Sequence, residues 1–490
     1  MERDVIPKSV LVLGTASHVG KSAIVTGLCR IFSRNYRVAP FKAQNMSLNS
    51  WITTDGKEIG IAQAIQAMAA GVEPTAEMNP VLLKPKGDRV SQVILMGKPY
   101  ADKSAGAYYD SIEKTHGVLR QALETLGNDY EVIVMEGAGG AAEINLYERD
   151  IVNLGTARIT NAPIILVGDI ERGGVFASLY GTIQLLPEDV RQNVRGMIIN
   201  KFRGDPTILK AGVEELEQIT GIPVLGVMPY SKLGIPSEDS VSIGDKSSPS
   251  GIYDVDVAVI RLPRISNFTD FEPLERLVNL RYVDLDDKLG IPDAVIIPGT
   301  KNTISDLQDL LDSGMAEKIK SLYGKVPILG ICGGYQMLGK QIEDAAIEGE
   351  ADASYEGLGL LDIHTIFDAY KKKTVQVTKK VNRASLLFDS IEGETIGGYE
   401  IHMGDTGSNV PVFGDDGCVD ESGMVVGTYL HGLFSNANIR KAFVSYLLEK
   451  RGIKYNEEDL EDDPYEELAQ LMEESLDVET IYSILGLEKN

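Results

Sequence analysis

The sequence is short of cysteine. It has three, Cys29, Cys332 and Cys418, too few and too scattered for a disulfide framework, and no two have the spacing of a metal site. A reduced, cytoplasmic setting is the simplest reading. No apolar run reaches the roughly 18 residues of a membrane helix, so no span is expected. The opening MERDVIPKSVLVLG lacks a signal-peptide pattern, because its apolar run leads straight into a glycine-rich loop. Positive charge is also scarce: 47 Lys+Arg stand against 72 Asp+Glu, a formal charge of −25. Such a surface repels nucleic acid and anionic membrane, so neither is an expected partner. A local basic pocket for a small anionic substrate remains compatible with it.

What is present fits an ordinary globular chain of 490 residues, with 43% hydrophobic and 24% charged residues. That length predicts two to four domains. Nearly continuous apolar strands, SVLVLG (from Ser9), YEVIVMEG (from Tyr130), PIILVGD (from Pro163), VRGMIIN (from Val194) and PVLGVMPYS (from Pro223), alternate with helical patterns such as SAIVTGLCRIF. This alternation predicts a parallel α/β sheet. A Ser/Pro/Gly/Asp-rich stretch without period follows. A second α/β series then begins, with DVAVIRLP (from Asp256), DAVIIPGT (from Asp293), VPILGIC (from Val326) and MVVGTYLHGLF (from Met424). The expected division is a first domain over 1–235, a linker over 236–250, a second domain over 251–445 and an acidic helical tail over 446–490.

Residues 14–22 read GTASHVGKS, directly after a strand and before a helix. Backbone N–H groups and a helix N-terminus there can hold a polyphosphate. Gly14 and Gly20 allow the tight path, Lys21 would meet the β and γ phosphates, and the Ser22 hydroxyl would reach Mg²⁺. The competing reading is a plain strand–turn–helix junction. Five residues rather than four separate Gly14 from Gly20. This lengthened loop resembles the dethiobiotin synthetase-like group of P-loop enzymes, which activate carboxylates. Lys42, in PFKAQN, fits that resemblance as a second cation at the phosphates. Glu136, in VIVMEGAGG, ends a buried strand, where a carboxylate needs a cation; Mg²⁺ is its expected partner. Asp55 and Glu58 are candidates for another Mg²⁺ ligand.

In the second series ILGICGGYQMLG runs from strand through Cys332 and two glycines into a helical pattern. This is a nucleophile elbow. It exposes a thiol at a helix N-terminus, which favours the thiolate, and the following glycines bring backbone N–H groups to an oxyanion. The PGTKN loop (from Pro298) could add a second donor. The alternative for an isolated cysteine is a small buried hydrophobe. His431, in GTYLHGLF, is the expected base. Residues 251–445 resemble a class I glutamine amidotransferase domain. Many such domains carry an acid two residues after the histidine, where this chain has Leu433, so weakened orientation of His431 and slow or tightly coupled glutamine hydrolysis are expected. His402 could touch substrate or shape the domain; His18 could approach nucleotide; His116 and His364 read as structural or surface residues.

FKAQNMSLNSW (from Phe41), EMNPVLLKP (from Glu77), MEGAGGAAEINL (from Met135), DIERGGVFASLYGT (from Asp169), LPRISNFTDFEPL (from Leu262) and GYEIHMG together resemble the cobyric acid synthase family over nearly the whole chain. The resemblance implies an ATP- and glutamine-dependent ligase that amidates the b, d, e and g carboxylates of adenosylcobyrinic acid a,c-diamide, with Mg²⁺. The partners it implies are small molecules, namely a corrinoid, ATP and glutamine, and the oligomeric state stays open. Asn45, Ser47, Asn49 and Arg172 are then candidates to hydrogen-bond the corrin, or plain turn and cap residues. The rival readings are an enzyme amidating the a and c carboxylates of cobyrinic acid, a muropeptide amidating system, and a P-loop switch protein.

Overall fold

A computed structural model describes residues 7–85, 90–104, 112–231, 254–349, 351–369, 372–383, 385–407, 410–454 and 463–489. The expected linker 236–250 lies outside them. The chain separates into two compact units. One comprises 1–47, 57–235 and 462–490; the other comprises 48–56 and 236–461.

The first unit is built on a six-stranded parallel sheet, in the order Val224–Pro229, Val194–Phe202, Ile164–Asp169, Lys8–Gly14, Val132–Glu136, Val38–Phe41. Its central strands are apolar on both faces, so alternate residues feed two cores. Leu11, Leu13, Ile133 and Met135 pack on one side; Val10, Val12, Val132 and Val134 pack on the other. The first core takes Leu119, Ala122, Leu123 and Leu126 of the helix Ile112–Asp129. The second takes Ile24, Leu28, Cys29 and Phe32 of the helix Lys21–Ser33.

That second core is closed by the C-terminal residues, which the sequence reading set apart as a tail. Leu468, Ala469 and Met472 of the helix Pro464–Ser475, and Ile481, Tyr482 and Leu485 of the helix Val478–Leu485, are buried in it. A Cβ on Gly27 would stand 2.1 Å from Met472 Sδ, so the helices meet where the side chain is smallest. The acidic face is answered by arginines of the helix Lys21–Ser33 and its C-cap: Arg30 pairs with Asp463 (2.7 Å) and Glu466 (2.9 Å), and Arg34 with Glu466 (2.7 Å) and Glu473 (2.9 Å). The physical reason for the difference is the amphipathic pattern itself. An apolar stripe this wide needs a surface to cover. Residues 446–454 instead fall in the second unit.

The second unit has its own six-stranded sheet, in the order Asn279–Asp284, Asp256–Arg261, Ala294–Ile297, Ile328–Ile331, Val425–Thr428, Cys418–Val419. It is parallel except for the last strand. An antiparallel set of Lys373–Lys380, Thr395–His402 and Leu430–His431 pairs Tyr399 with His431. The short peptide 48–56, far from these elements in sequence, is part of this unit.

Candidate functional sites

In the first unit the loop from Gly14 to Gly20 follows the strand Lys8–Gly14 and enters the helix at Lys21. Gly20 has φ 96°, and a Cβ there would lie 2.1 Å from Asn200 Nδ2, so glycine is required on both counts. Lys21 Nζ donates to the carbonyls of Ala16 (3.0 Å) and Gly139 (2.8 Å). These are bonds that phosphate oxygens can replace. Ser22 Oγ donates to Glu136 Oε1 at 2.9 Å, and Lys42 Nζ meets the same oxygen at 2.9 Å. Gln66 Nε2 donates to Glu136 Oε2 at 2.5 Å. Glu136 and Lys42 are 1% and 4% exposed, so this ion pair is sealed from water and each charge depends on the other. The structure thus brings together Gly14, Gly20, Lys21, Ser22, Lys42 and Glu136.

Two residues absent from the sequence reading brace this loop. Asn200 Nδ2 donates to the Val19 carbonyl at 2.8 Å, and Lys201 Nζ donates to the His18 carbonyl at 2.6 Å while pairing with Asp169 at 3.0 Å. The signal was the Asn-Lys pair just before the last residue of the strand Val194–Phe202. His18 itself is exposed at φ 60°. Glu58, a candidate for another metal ligand, is ion-paired with the buried Lys84 at 2.6 Å; Asp55 is exposed and falls in the other unit. Asn45 donates to Gln63 Oε1 at 3.2 Å from a buried position, Ser47 is buried, and Arg172 is exposed. Among the described residues no three His, Cys, Asp or Glu side chains gather at one point, so a cation here would complete its shell from phosphate and water.

In the second unit Cys332 ends the strand Ile328–Ile331 with φ 54° and ψ −110°, a strained conformation for a side-chain-bearing residue, and precedes the helix Gly333–Leu338. Its N–H is held by the Thr428 carbonyl at 2.8 Å. The two glycines are sterically required: a Cβ on Gly334 would fall 2.0 Å from the Ile297 carbonyl oxygen, and one on Gly333 2.6 Å from Thr300 Cγ2 and 3.3 Å from Thr300 N. The elbow and the PGTKN loop are therefore packed backbone to backbone. Gln336 is pinned by Thr303 Oγ1 (2.8 Å) and donates to the Met403 carbonyl and Tyr429 hydroxyl (2.9 Å each).

His431 is 1% exposed. Its Nδ1 lies 2.6 Å from Asp270 Oδ2, and the other carboxylate oxygen of Asp270 accepts the Gly432 N–H at 2.9 Å. Burial lowers the affinity of the imidazole for a proton, but the Asp270 carboxylate and the Cys332 sulfur outweigh it and push the pKa up to about 10. With Nδ1 on Asp270, the Cys332 interaction falls to Nε2, which is the polarity a thiol–imidazole pair needs. This corrects the expectation of a weakly oriented histidine. Leu433 is buried, and the acid that orients His431 comes from the SNFTDFEPL segment, 161 residues earlier.

His402 stacks on Tyr429, with ring centroids 3.6 Å apart, and its Nδ1 lies 3.2 Å from the Gly404 carbonyl. Its Nε2 is 3.6 Å from Glu400. Burial opposes ionisation of Glu400, yet His402, Lys373 and Lys379 hold its carboxyl well below the usual range. Asn49 Oδ1 accepts the Phe268 N–H at 3.2 Å. His364 is exposed and His116 is partly buried.

Comparison with known proteins agrees with both halves. Residues 10–239 match the CobQ/CobB/MinD/ParA nucleotide binding domain, and residues 256–439 the CobB/CobQ-like glutamine amidotransferase domain. The probable cobyric acid synthase of Methanococcoides burtonii is 75% identical over 98% of each chain. That of Methanosarcina acetivorans is 70% identical over 98% of this chain and 99% of its own. That of Archaeoglobus fulgidus is 48% identical over 98% of this chain and all of its own.

Proposed function

Because the chain belongs to the cobyric acid synthase family of glutamine-hydrolysing ligases, we propose that it amidates the b, d, e and g carboxylates of adenosylcobyrinic acid a,c-diamide, using one ATP and one glutamine for each. The observation that carries the reading is the coexistence, in one chain, of the buried Cys332–His431–Asp270 cluster and the loop holding Lys21, Ser22, Lys42 and Glu136.

Cys332 attacks the carboxamide carbon of glutamine as a thiolate. The imidazolium of His431, held by Asp270, gives its Nε2 proton to the departing ammonia. Water then attacks the thioester, His431 takes its proton, and glutamate leaves as the thiolate re-forms. The strained elbow presents the sulfur, and N–H groups of the Gly333 turn and the PGTKN loop would be the donors to the developing oxyanion. At the other site the substrate carboxylate oxygen attacks the γ-phosphorus of ATP, ADP leaves, and ammonia displaces phosphate from the acyl phosphate. Lys21 and Lys42 draw negative charge off the transferring phosphoryl group. The all-oxygen pair of Ser22 Oγ and Glu136, already in contact, fits Mg²⁺ in ligand chemistry. When bound, that ion would neutralise phosphate charge.

Mass spectrometry of the corrinoid after incubation with protein, ATP, Mg²⁺ and glutamine tests the proposal. Each exchange of OH for NH₂ lowers the mass by about one dalton, and four successive exchanges are expected. No change on the a,c-diamide, with two exchanges on cobyrinic acid instead, would move the assignment to the rival carboxylates.

A further inference from the structure

The peptide 48–56 lies within the stretch matched by the nucleotide-binding domain, yet it folds with the glutamine amidotransferase unit. There it touches what holds the histidine. Asn49 and Ser50 are each 1% exposed. Asn49 Oδ1 accepts the Phe268 N–H (3.2 Å), which fixes the start of the turn Phe268–Leu274 that carries Asp270. The Ser50 N–H donates to Asn267 Oδ1 (3.1 Å), and the Ser50 carbonyl accepts the Tyr399 hydroxyl (2.8 Å). Asn267 Nδ2 lies 3.3 Å from His431 Nδ1 and 3.2 Å from the Tyr399 hydroxyl, and the Tyr399 ring stacks on His431 at 5.3 Å. Two successive residues of this peptide thus hold both groups that flank the imidazole, together with the turn bearing its acid. Further along, the Ile52 carbonyl accepts Gln376 Nε2 at 2.8 Å.

Both ends of the peptide continue covalently into the nucleotide-binding unit. The Ser47 N–H donates to the Leu83 carbonyl at 3.1 Å, and Glu58 is ion-paired with Lys84 at 2.6 Å. Five residues before Ser47, Lys42 sits on Glu136 at 2.9 Å.

We propose that Leu48–Gly56 is a positioning element of the glutaminase. Asn49 and Ser50 set the orientation of His431 and Asp270 through Asn267, Phe268 and Tyr399, and through their covalent ends they convey the state of the nucleotide site to that pair. This rests on the reading of Cys332 and His431 as a glutaminase. The bonds of Asn49 and Ser50 described above run to Asn267, Phe268 and Tyr399, so their effect belongs in kcat and in coupling, not in glutamine affinity.

The test uses the full chain with Asn49→Ala and, as a milder change that keeps the stacked ring, Tyr399→Phe. Glutamate release is measured alone and with ATP plus corrinoid, beside amidation from ammonium. The expected result is a kcat for glutamate release lower by roughly 10-fold with KM little changed, since small misplacements at a reacting centre cost about that or more. Stimulation by ATP plus corrinoid is lost, and ammonium-dependent amidation stays within about two-fold of wild type. Unchanged kcat and stimulation in both variants would overturn the proposal. So would a parallel fall in ammonium-dependent amidation, which marks a packing role. A wild-type protein that hydrolyses glutamine but amidates no corrinoid would sink the substrate assignment alone, and glutamate release would still decide this one.

Discussion

The two chemical centres answer their charges differently. In the amidotransferase unit the acid, the imidazole and the thiol answer one another: Asp270 holds His431, and the Cys332 sulfur raises the same ring's pKa. In the nucleotide unit one cation rests on groups that a polyphosphate can replace, and the other on a buried carboxylate. Lys21 sits on two loop carbonyls, and Lys42 shares Glu136 Oε1 with Ser22. The first centre is held by buried contacts among protein groups. The second can be rearranged by ligand charge. Preorganisation suits a step that develops an oxyanion, and rearrangement suits a site that must accept and release phosphate.

The comparison can be broken most forcefully at Lys21. Lys21→Ala should cut amidation roughly 10²–10³-fold with either glutamine or ammonium as nitrogen source, because phosphoryl transfer serves both. Product formation from the two sources in parallel assays checks this; selective loss with glutamine alone would contradict the division.

A sharper probe of the preorganised centre is Asp270→Asn. In the folded protein the pKa of His431 is raised from 6.5 to about 10. The imidazolium and its ion pair are thus fully present below 6.5 and are lost as pH rises through about 10. Without the carboxylate, the alkaline limb of glutamate release should move toward neutral pH, and kcat should fall roughly 10²–10⁴-fold. Ammonium-dependent amidation should not change. A pH–rate profile identical to wild type would mean that Asp270 does not orient the ring.

The smallest expected effect concerns the C-terminal helices. Met472→Ala opens a hole against Gly27 and Leu468 and should cost about 2–5 kcal/mol. Thermal unfolding resolved by unit should show the loss in the nucleotide-binding unit, with ATP binding weakened. A shift confined to the amidotransferase unit would contradict the assignment of these helices.

How much of this was legible in the sequence follows from how local each feature is. The phosphate loop and the cysteine elbow were readable because strand, glycine and helix follow one another within a dozen residues, and backbone sterics force the residue types, as Gly20 and Gly334 show. That Glu136 meets a cation was readable, because a carboxylate ending a buried strand demands one; the cation on it here is Lys42, and Mg²⁺ stays a proposal. Asp270 was not: it lies 161 residues from His431, on a turn without period, and the familiar position two residues past the histidine holds a leucine. The C-terminal helices announced an apolar stripe but not the surface that would receive it. The peptide 48–56 has no periodicity to announce anything, and Asn49, which reads equally as a corrin contact or a turn and cap residue, accepts a bond from the backbone of Phe268.

The central claim is that ammonia made at Cys332 is consumed at a separate, ATP-dependent centre, and Cys332→Ala tests it most directly. Given glutamine, the variant should amidate the corrinoid at least about 10³-fold more slowly than wild type; given ammonium, it should match wild type at the same ammonium concentration, with the same dependence on ATP. Loss of both activities in a folded variant that still binds ATP would contradict the account, since Cys332 would then serve more than glutamine hydrolysis.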